Sequence, residues 1–300
     1  MKKTLKGLLE LTKINEFFNF VILSSFLGVV AAGGSFNWLL IVLLLANWLA
    51  AGFANILHHI EDAPDDALNT LENTHNPIAT GSLSPKAAKF TGLIVVILSL
   101  SLFTLLGTWP LILGLTTLVM GFLTAYRGIR LNTNPVFDLL SYALMLGGLP
   151  FLVGFSSFDN NPYRMLSWPF IFIMAISVYR RIRNPQKHSS GETPESRRQS
   201  GSRLSERNRQ IFTWIMLVTA VFSGLVSLIQ IELIPTWVAV LIVILMVIFS
   251  LPRVIKSLST TCSIPIRGAF HKPLESAAAL GLVLQLLLPW LVQFLPFLRF

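Results

Sequence analysis

Nine runs of mostly apolar residues, near 16–33, 37–57, 90–106, 109–126, 135–157, 162–179, 210–230, 235–251 and 275–296, constrain this chain more than any other feature. Each approaches or exceeds the roughly 20 residues a helix needs to cross the hydrocarbon core of a bilayer. Charged residues are only 12% of the sequence and mean hydropathy is +0.68, whereas a soluble domain carries roughly 25% charge. With half that charge, much of the surface faces lipid. A disulfide-built secreted scaffold is excluded as well, because Cys262 is the only cysteine. The expected fold is an all-α, polytopic membrane protein of nine transmembrane helices, forming a single domain over residues 1–300.

The basic residues set the orientation. Of the 23 lysines and arginines, 21 fall in the N-terminal segment and alternate loops on one side of the nine spans. Only Arg164 and Arg299 fall on the other side. The pattern predicts a multi-pass protein of the cytoplasmic membrane, N-terminus inside and C-terminus outside. The net charge of +9 is thus a topology signal with some attraction to anionic lipid headgroups, and nucleic acid is not expected as a partner. Lys2, Lys3 and Lys6 precede the first run, yet its polar lead and the eight spans behind it argue against a cleaved signal peptide. Residues 182–208, rich in Ser, Gly and Arg, read as a disordered cytoplasmic insertion.

Proline marks the span ends. Pro110, Pro135, Pro162, Pro235 and the Lys272–Pro273 pair sit at or near expected helix starts, because a missing N–H costs least there. Pro150, Pro169 and Pro289 fall inside spans and are expected to kink them.

The scarce acidic residues are unevenly spread. Glu61, Asp62, Asp65, Asp66 and Glu72 are five of the chain's 14 acidic residues, and His58, His59 and His75 fall beside them. At about 100° per residue, positions 58, 62, 65, 66 and 69 share roughly a third of a helix circumference, although Pro64 is expected to break or kink the helix there. Carboxylates spaced three and four apart suit a hard divalent cation such as Mg²⁺, with substrate phosphates completing its shell. A solvated acidic loop is the plainer alternative, and a polar helix end the plainer account of the histidines. On the same predicted side, Arg127 and Arg130 suit a phosphate group whose metal the carboxylates hold, or serve only as topology anchors. Asp138, three residues after Pro135, is an intramembrane carboxylate, a kind of residue that usually faces the bundle interior.

Three stretches resemble the UbiA-type intramembrane prenyltransferases. The run from His59 to Asn69 is similar to that family's Asn-Asp-x-x-Asp-x-x-x-Asp motif at the end of helix 2. Asn76 to Ser84 is similar to the Pro- and Gly-containing run that follows it. Tyr126 to Ser141, with Gly147 to Pro150 beyond, looks most like the branch acting on carotenoids and other long isoprenoids. Two registers of the first motif are open. Counting forward from the histidines aligns His58, His59, Asp62 and Asp66, and counting back from Asn76 aligns Glu61, Asp62, Asp65 and Asn69; Asp62 holds a position in both. The chain departs from the family at the end of span 6, where a second Asp-rich motif is replaced by Val178 to Lys187 without a carboxylate.

The resemblance implies a membrane-embedded prenyltransferase that takes an allylic prenyl diphosphate and a lipophilic acceptor. Asp62 and Asp66 would be catalytic, with Asp62, Asp65 and Asp66 as Mg²⁺ ligands. Arg127, Arg130 and Arg181 would bind diphosphate, and His59, Asn69 and Asp138 are further candidates. The alternative is a catalytically inactive relative that binds isoprenoid or other membrane lipid, the reading that the missing second motif favours.

Overall fold

The structure, a computed structural model, describes residues 7, 11–12, 14–68, 76–129, 131, 134–159, 161–183, 206–230, 235, 237–242, 244–245, 247–248 and 268–294. The regular structure among them is helical. In chain order the helices are α1 (Ile14–Ala31), α2 (Leu39–Asp66), α3 (Pro85–Leu106), α4 (Thr108–Ala125), α5 (Pro135–Ala143), α6 (Leu149–Ser156), α7 (Pro162–Met165), α8 (Trp168–Arg183), α9 (Glu206–Gln230) and α10 (Gly268–Phe294). Five stretches among the described residues are long and apolar enough to cross a bilayer: Leu39–Asp66, Pro85–Leu106, Thr108–Ala125, Pro135–Ser156 and Arg207–Leu228. Phe17–Ala31 and Pro273–Leu287 are shorter apolar helices, and most of the expected span at 235–251 lies outside the described residues or is described only in fragments. Five spans by length, rather than nine, is therefore what these helices establish. Of the expected 182–208 insertion, the two ends are helical, in α8 and α9, and 184–205 lies outside the described residues.

Local chemistry accounts for the helix starts. Ser84 caps α3 by accepting from the Ala87 N–H at 3.2 Å, with Pro85 at the first helical position. Asn134 and Pro135 start α5 in the same way, the Asn134 side chain accepting from Val136 N–H at 2.9 Å. Asn161 and Pro162 repeat the device at α7, at 3.0 Å. Between α3 and α4 the chain reverses at Gly107 alone, whose φ of +120° suits only a residue without Cβ.

Two prolines expected near helix ends lie inside helices. Pro64 does not end α2, which runs through it to Asp66. Pro64 withholds only the N–H that the Ile60 carbonyl would accept, a single lost bond two residues before the end of a 28-residue helix. Pro273 lies five residues inside the last helix, which begins at Gly268 and carries Pro289 inside it as well.

Pro150 has its effect one turn upstream. The span from Pro135 to Ser156 is α-helical at both ends, with a π-helical turn at Leu144–Gly148 between them. Pro150 has no N–H to offer the Leu146 carbonyl four residues back. The Ser24 hydroxyl on α1 lies 2.9 Å from that oxygen and 2.8 Å from the Phe20 carbonyl, so a donor comes from a neighbouring helix.

Small residues set how closely the helices pack. A Cβ built on Gly28 of α1 would lie 2.1 Å from the Phe151 carbonyl oxygen, and one on Gly154 of α6 would lie 2.2 Å from that of Ser25. The contact is reciprocal, so α1 and α6 touch backbone to backbone. In lipid, apolar burial between helices gains little, and close approach together with interhelical hydrogen bonds holds the bundle. The buried Asn47 amide donates to Ser25 Oγ at 2.9 Å, and Ser99 Oγ donates to the Ala46 carbonyl at 3.1 Å. Phe20, Phe103, Phe151 and Phe155 fill the centre with Leu40, Leu43 and Leu282. Over half (56%) of the apolar window of α2 is buried, against 17% of that of α9, so α2 is central and α9 peripheral. The outer faces of α3 and α9 present large apolar side chains such as Phe90, Ile97, Trp214 and Val218, as a lipid-facing surface should.

Candidate active site at the acidic end of the bundle

Because α2 continues through Pro64, Glu61, Asp62, Asp65 and Asp66 all hang from one unbroken helix end. The chain after it returns as the loop 76–84, whose Asn76 is buried. Asn76 Nδ2 donates to the His59 carbonyl at 2.9 Å and to Asp66 Oδ2 at 2.7 Å, while its Oδ1 accepts from Ile78 N–H at 3.0 Å. Both amide hydrogens and the amide oxygen are thus used, and the carboxylate of Asp66 is held against the loop. Ser82 Oγ donates to the Pro77 carbonyl at 2.9 Å, and Gly81 turns the loop at φ +71°.

The loop between α4 and α5 approaches the same helix end. The Arg127 guanidinium forms an ion pair with Asp65, and its backbone N–H donates to Glu61 Oε2 at 3.2 Å. The Asp65 hydrogen bond and charge, with smaller contributions from Asp62 and Glu61, push the Arg127 guanidinium above its ordinary pKa. Asp65 and Arg127 are nearly half exposed, so the pair adds at most about 1 kcal/mol of stability. Its consequence is positional: it brings a guanidinium to the carboxylate cluster.

A second polar group lies at the end of α8, whose two adjacent arginines have partners on α5 and α10. Asp138 is buried in the first turn of α5 and accepts two bonds from Arg181, Nε to Oδ2 at 3.0 Å and an Nη to Oδ1 at 2.8 Å. The Arg181 guanidinium also lies 5.2 Å from the Tyr142 ring centroid. Its neighbour Arg180 turns to α10, pairing with Glu275 at 3.3 Å, and lies 4.7 Å from the Phe20 ring centroid. Asn19 on α1 donates to Ser276 Oγ at 2.8 Å beside it.

The sequence-derived candidates are thus distributed as follows. Asp62, Asp65, Asp66 and Arg127 share the end of α2. Asp138 and Arg181 form a pair of their own. His59 is buried at the base of the acidic turn. Asn69 and Arg130 lie outside the described residues. Two participants were not expected. Asn76 served in the sequence only to set a motif register, although an Asn-Pro after an acidic run is a visible signal. Glu275, a single carboxylate in the last apolar run, was visible as an intramembrane charge.

The donor chemistry at the end of α2 fits Mg²⁺, all of it hard carboxylate oxygen. As arranged here, Asp65 is taken by Arg127 and Asp66 by Asn76, and no three His, Cys, Asp or Glu among the described residues converge on a metal position. Mg²⁺ usually takes one or two carboxylates, with waters and substrate phosphates in the other positions. A three-carboxylate cage is therefore not required for a fit.

The sequence profile of the UbiA prenyltransferase family matches residues 20–272, most of the chain. The chain belongs to the UbiA prenyltransferase family. Among solved structures it is similar to a UbiA homologue from Archaeoglobus fulgidus, with 14% identity, a TM-score of 0.63, and 93% of this chain and 99% of that one covered. It is also similar to a digeranylgeranylglyceryl phosphate synthase, with 17% identity, a TM-score of 0.61 and coverage of 94% and 99%. A third, a UbiA homologue from Aeropyrum pernix K1, has 14% identity, a TM-score of 0.59 and coverage of 92% and 98%. At such identities the likeness is one of fold, and it extends over nearly the whole of each chain. No curated protein sequence matches the chain significantly. UbiA membership gives the cluster at the end of α2 a context: the carboxylates lie within the matched region, as do Arg127, Asp138 and Arg181.

Proposed function

We propose that the protein is a membrane-embedded prenyltransferase that moves an allylic prenyl group from a diphosphate donor to a lipophilic acceptor. The observation that carries this reading is the meeting of Asp62, Asp65 and Asp66 with Arg127 at one end of a UbiA-family bundle. Structures of the Archaeoglobus homologue bound to DMAPP and Mg²⁺, and to GPP and Mg²⁺, support the donor class. Asp62, Asp65 and Asp66 would hold Mg²⁺, which when bound offsets the negative charge of the diphosphate. Asp62 and Asp66 would be the residues that orient the donor, Asp66 being steadied by Asn76. Arg127, Arg130 and Arg181 bind the diphosphate oxygens by charge-assisted hydrogen bonds, which strengthen as the leaving group gains charge. The allylic C–O bond breaks with its electron pair passing to the diphosphate oxygen. The allylic carbon then bonds to the acceptor, which gives up a proton.

The acidic end faces the cytoplasm in this reading, following the 21 basic residues counted on its side, and the protein resides in the cytoplasmic membrane. The end of α8, where Arg180 and Arg181 already have carboxylate partners on other helices, favours a second reading, a lipid-binding relative without turnover. Protein purified in detergent, given labelled C5 to C20 allylic diphosphates and a membrane lipid extract, separates the two. Turnover with diphosphate release is expected, and Asp62→Ala should abolish it while the protein still inserts and accumulates. A parent that binds the donor without releasing diphosphate would establish the second reading.

A further inference from the structure

We infer that Asp138 is a positioning residue for diphosphate, acting through Arg181; this rests on the prenyl diphosphate reading above. The geometry is that of a preset fork. Asp138 is buried, one turn into α5, where the helix N-terminus favours its negative charge. Its two oxygens take Nε and one Nη of Arg181 at 3.0 and 2.8 Å, and a bidentate pair fixes the guanidinium plane as a single contact does not. Tyr142, one turn further along the same helix, covers that guanidinium at 5.2 Å. One turn of α5 thus holds the end of a long side chain that would otherwise lose rotamer freedom on binding a ligand.

The Asp138 pair uses two of the five N–H donors of Arg181, leaving three outside it. Arg180 differs. It is oriented towards α10, where it pairs with Glu275 at 3.3 Å. Arg181 is the arginine held by two bonds to one carboxylate. Asp138 also offsets the Arg181 charge, so that bringing a cation into the bundle end costs less before substrate arrives.

The test uses the full chain in detergent, with inorganic pyrophosphate in Mg²⁺ buffer as calorimetric probe and thermal unfolding as a separate readout. Asp138→Asn and Arg181→Lys should each weaken pyrophosphate binding about tenfold, the loss of one oriented charge-assisted contact. The double variant should be little weaker than either single one. The exchange variant, Asp138→Arg with Arg181→Asp, should recover thermal stability relative to Asp138→Asn, because the pair can re-form, but should not recover binding. Recovery of binding in the exchange variant would reduce the pair to a structural tie and overturn the inference. So would parental affinity in Asp138→Asn, a readout that stands even where the exchange variant fails to fold. A parent that binds no pyrophosphate would overturn the diphosphate reading itself and this inference with it.

Discussion

Asn76 joins the Asp66 carboxylate, at 2.7 Å, to the backbone of the helix that carries it, through a second bond to the His59 carbonyl at 2.9 Å. The end of α2 is thereby braced from the side by the chain that follows it. A helix terminus normally frays into water with its last carbonyls solvated. Here a buried amide holds the acidic turn in one arrangement, and Arg127 approaches from the next loop.

Replacing Asn76 with Ala should therefore act on both stability and site. The His59 carbonyl loses a buried donor, at a cost of about 1–3 kcal/mol, and Asp66 is released. Asn76→Asp should be worse, since it sets a carboxylate against that of Asp66. Thermal unfolding in detergent and turnover with labelled donor read the two effects. Parental values for both in Asn76→Ala would remove the brace from the account.

The two groups of ion pairs should separate stability from function. Arg180 and Glu275 are both mostly buried, with side chains 13% and 16% exposed, and removing one partner of a buried pair costs about 3–5 kcal/mol. Asp65 and Arg127 are nearly half exposed, and such pairs are worth about 1 kcal/mol or less. Glu275→Ala should thus lower the unfolding temperature far more than Asp65→Ala, while Asp65→Ala should cost more turnover per degree lost. The reverse ranking in unfolding would show that Glu275 does not tie α10 to α8.

Close helix approach predicts opposite effects of one substitution at two helical glycines. Gly154→Ala puts a methyl group 2.2 Å from the Ser25 carbonyl oxygen, an overpacking that costs about 1–3 kcal/mol. Gly52→Ala meets nothing nearer than 3.8 Å and should stabilise α2 by roughly 0.4–1 kcal/mol through lower unfolded-chain entropy. Unfolding of the two variants side by side checks the sign as well as the size. An equal response would mean that α1 and α6 do not touch as described.

Hydrophobic run length determined, from sequence alone, that this is a helical membrane protein and where the five long apolar helices lie, because lipid requires each spanning segment to satisfy its own backbone. The acidic turn was legible for the same reason: where charge is scarce, a cluster of carboxylates at a span end stands out, and helical periodicity puts Asp62, Asp65 and Asp66 on one face. Whether Pro64 ended that helix was decided by position, since proline withholds a single N–H and the helix has only two residues left to run. The partners were decided only by the tertiary structure. Asp65 with Arg127, Asp66 with Asn76, Asp138 with Arg181 and Arg180 with Glu275 are separated by ten residues to nearly a hundred. Such pairings depend on which helices become neighbours: α1 against α6 through backbone contact at Gly28 and Gly154, α8 against α5, and α10 against α1. Charge identity is local information, but charge pairing inside a bundle is a property of its packing.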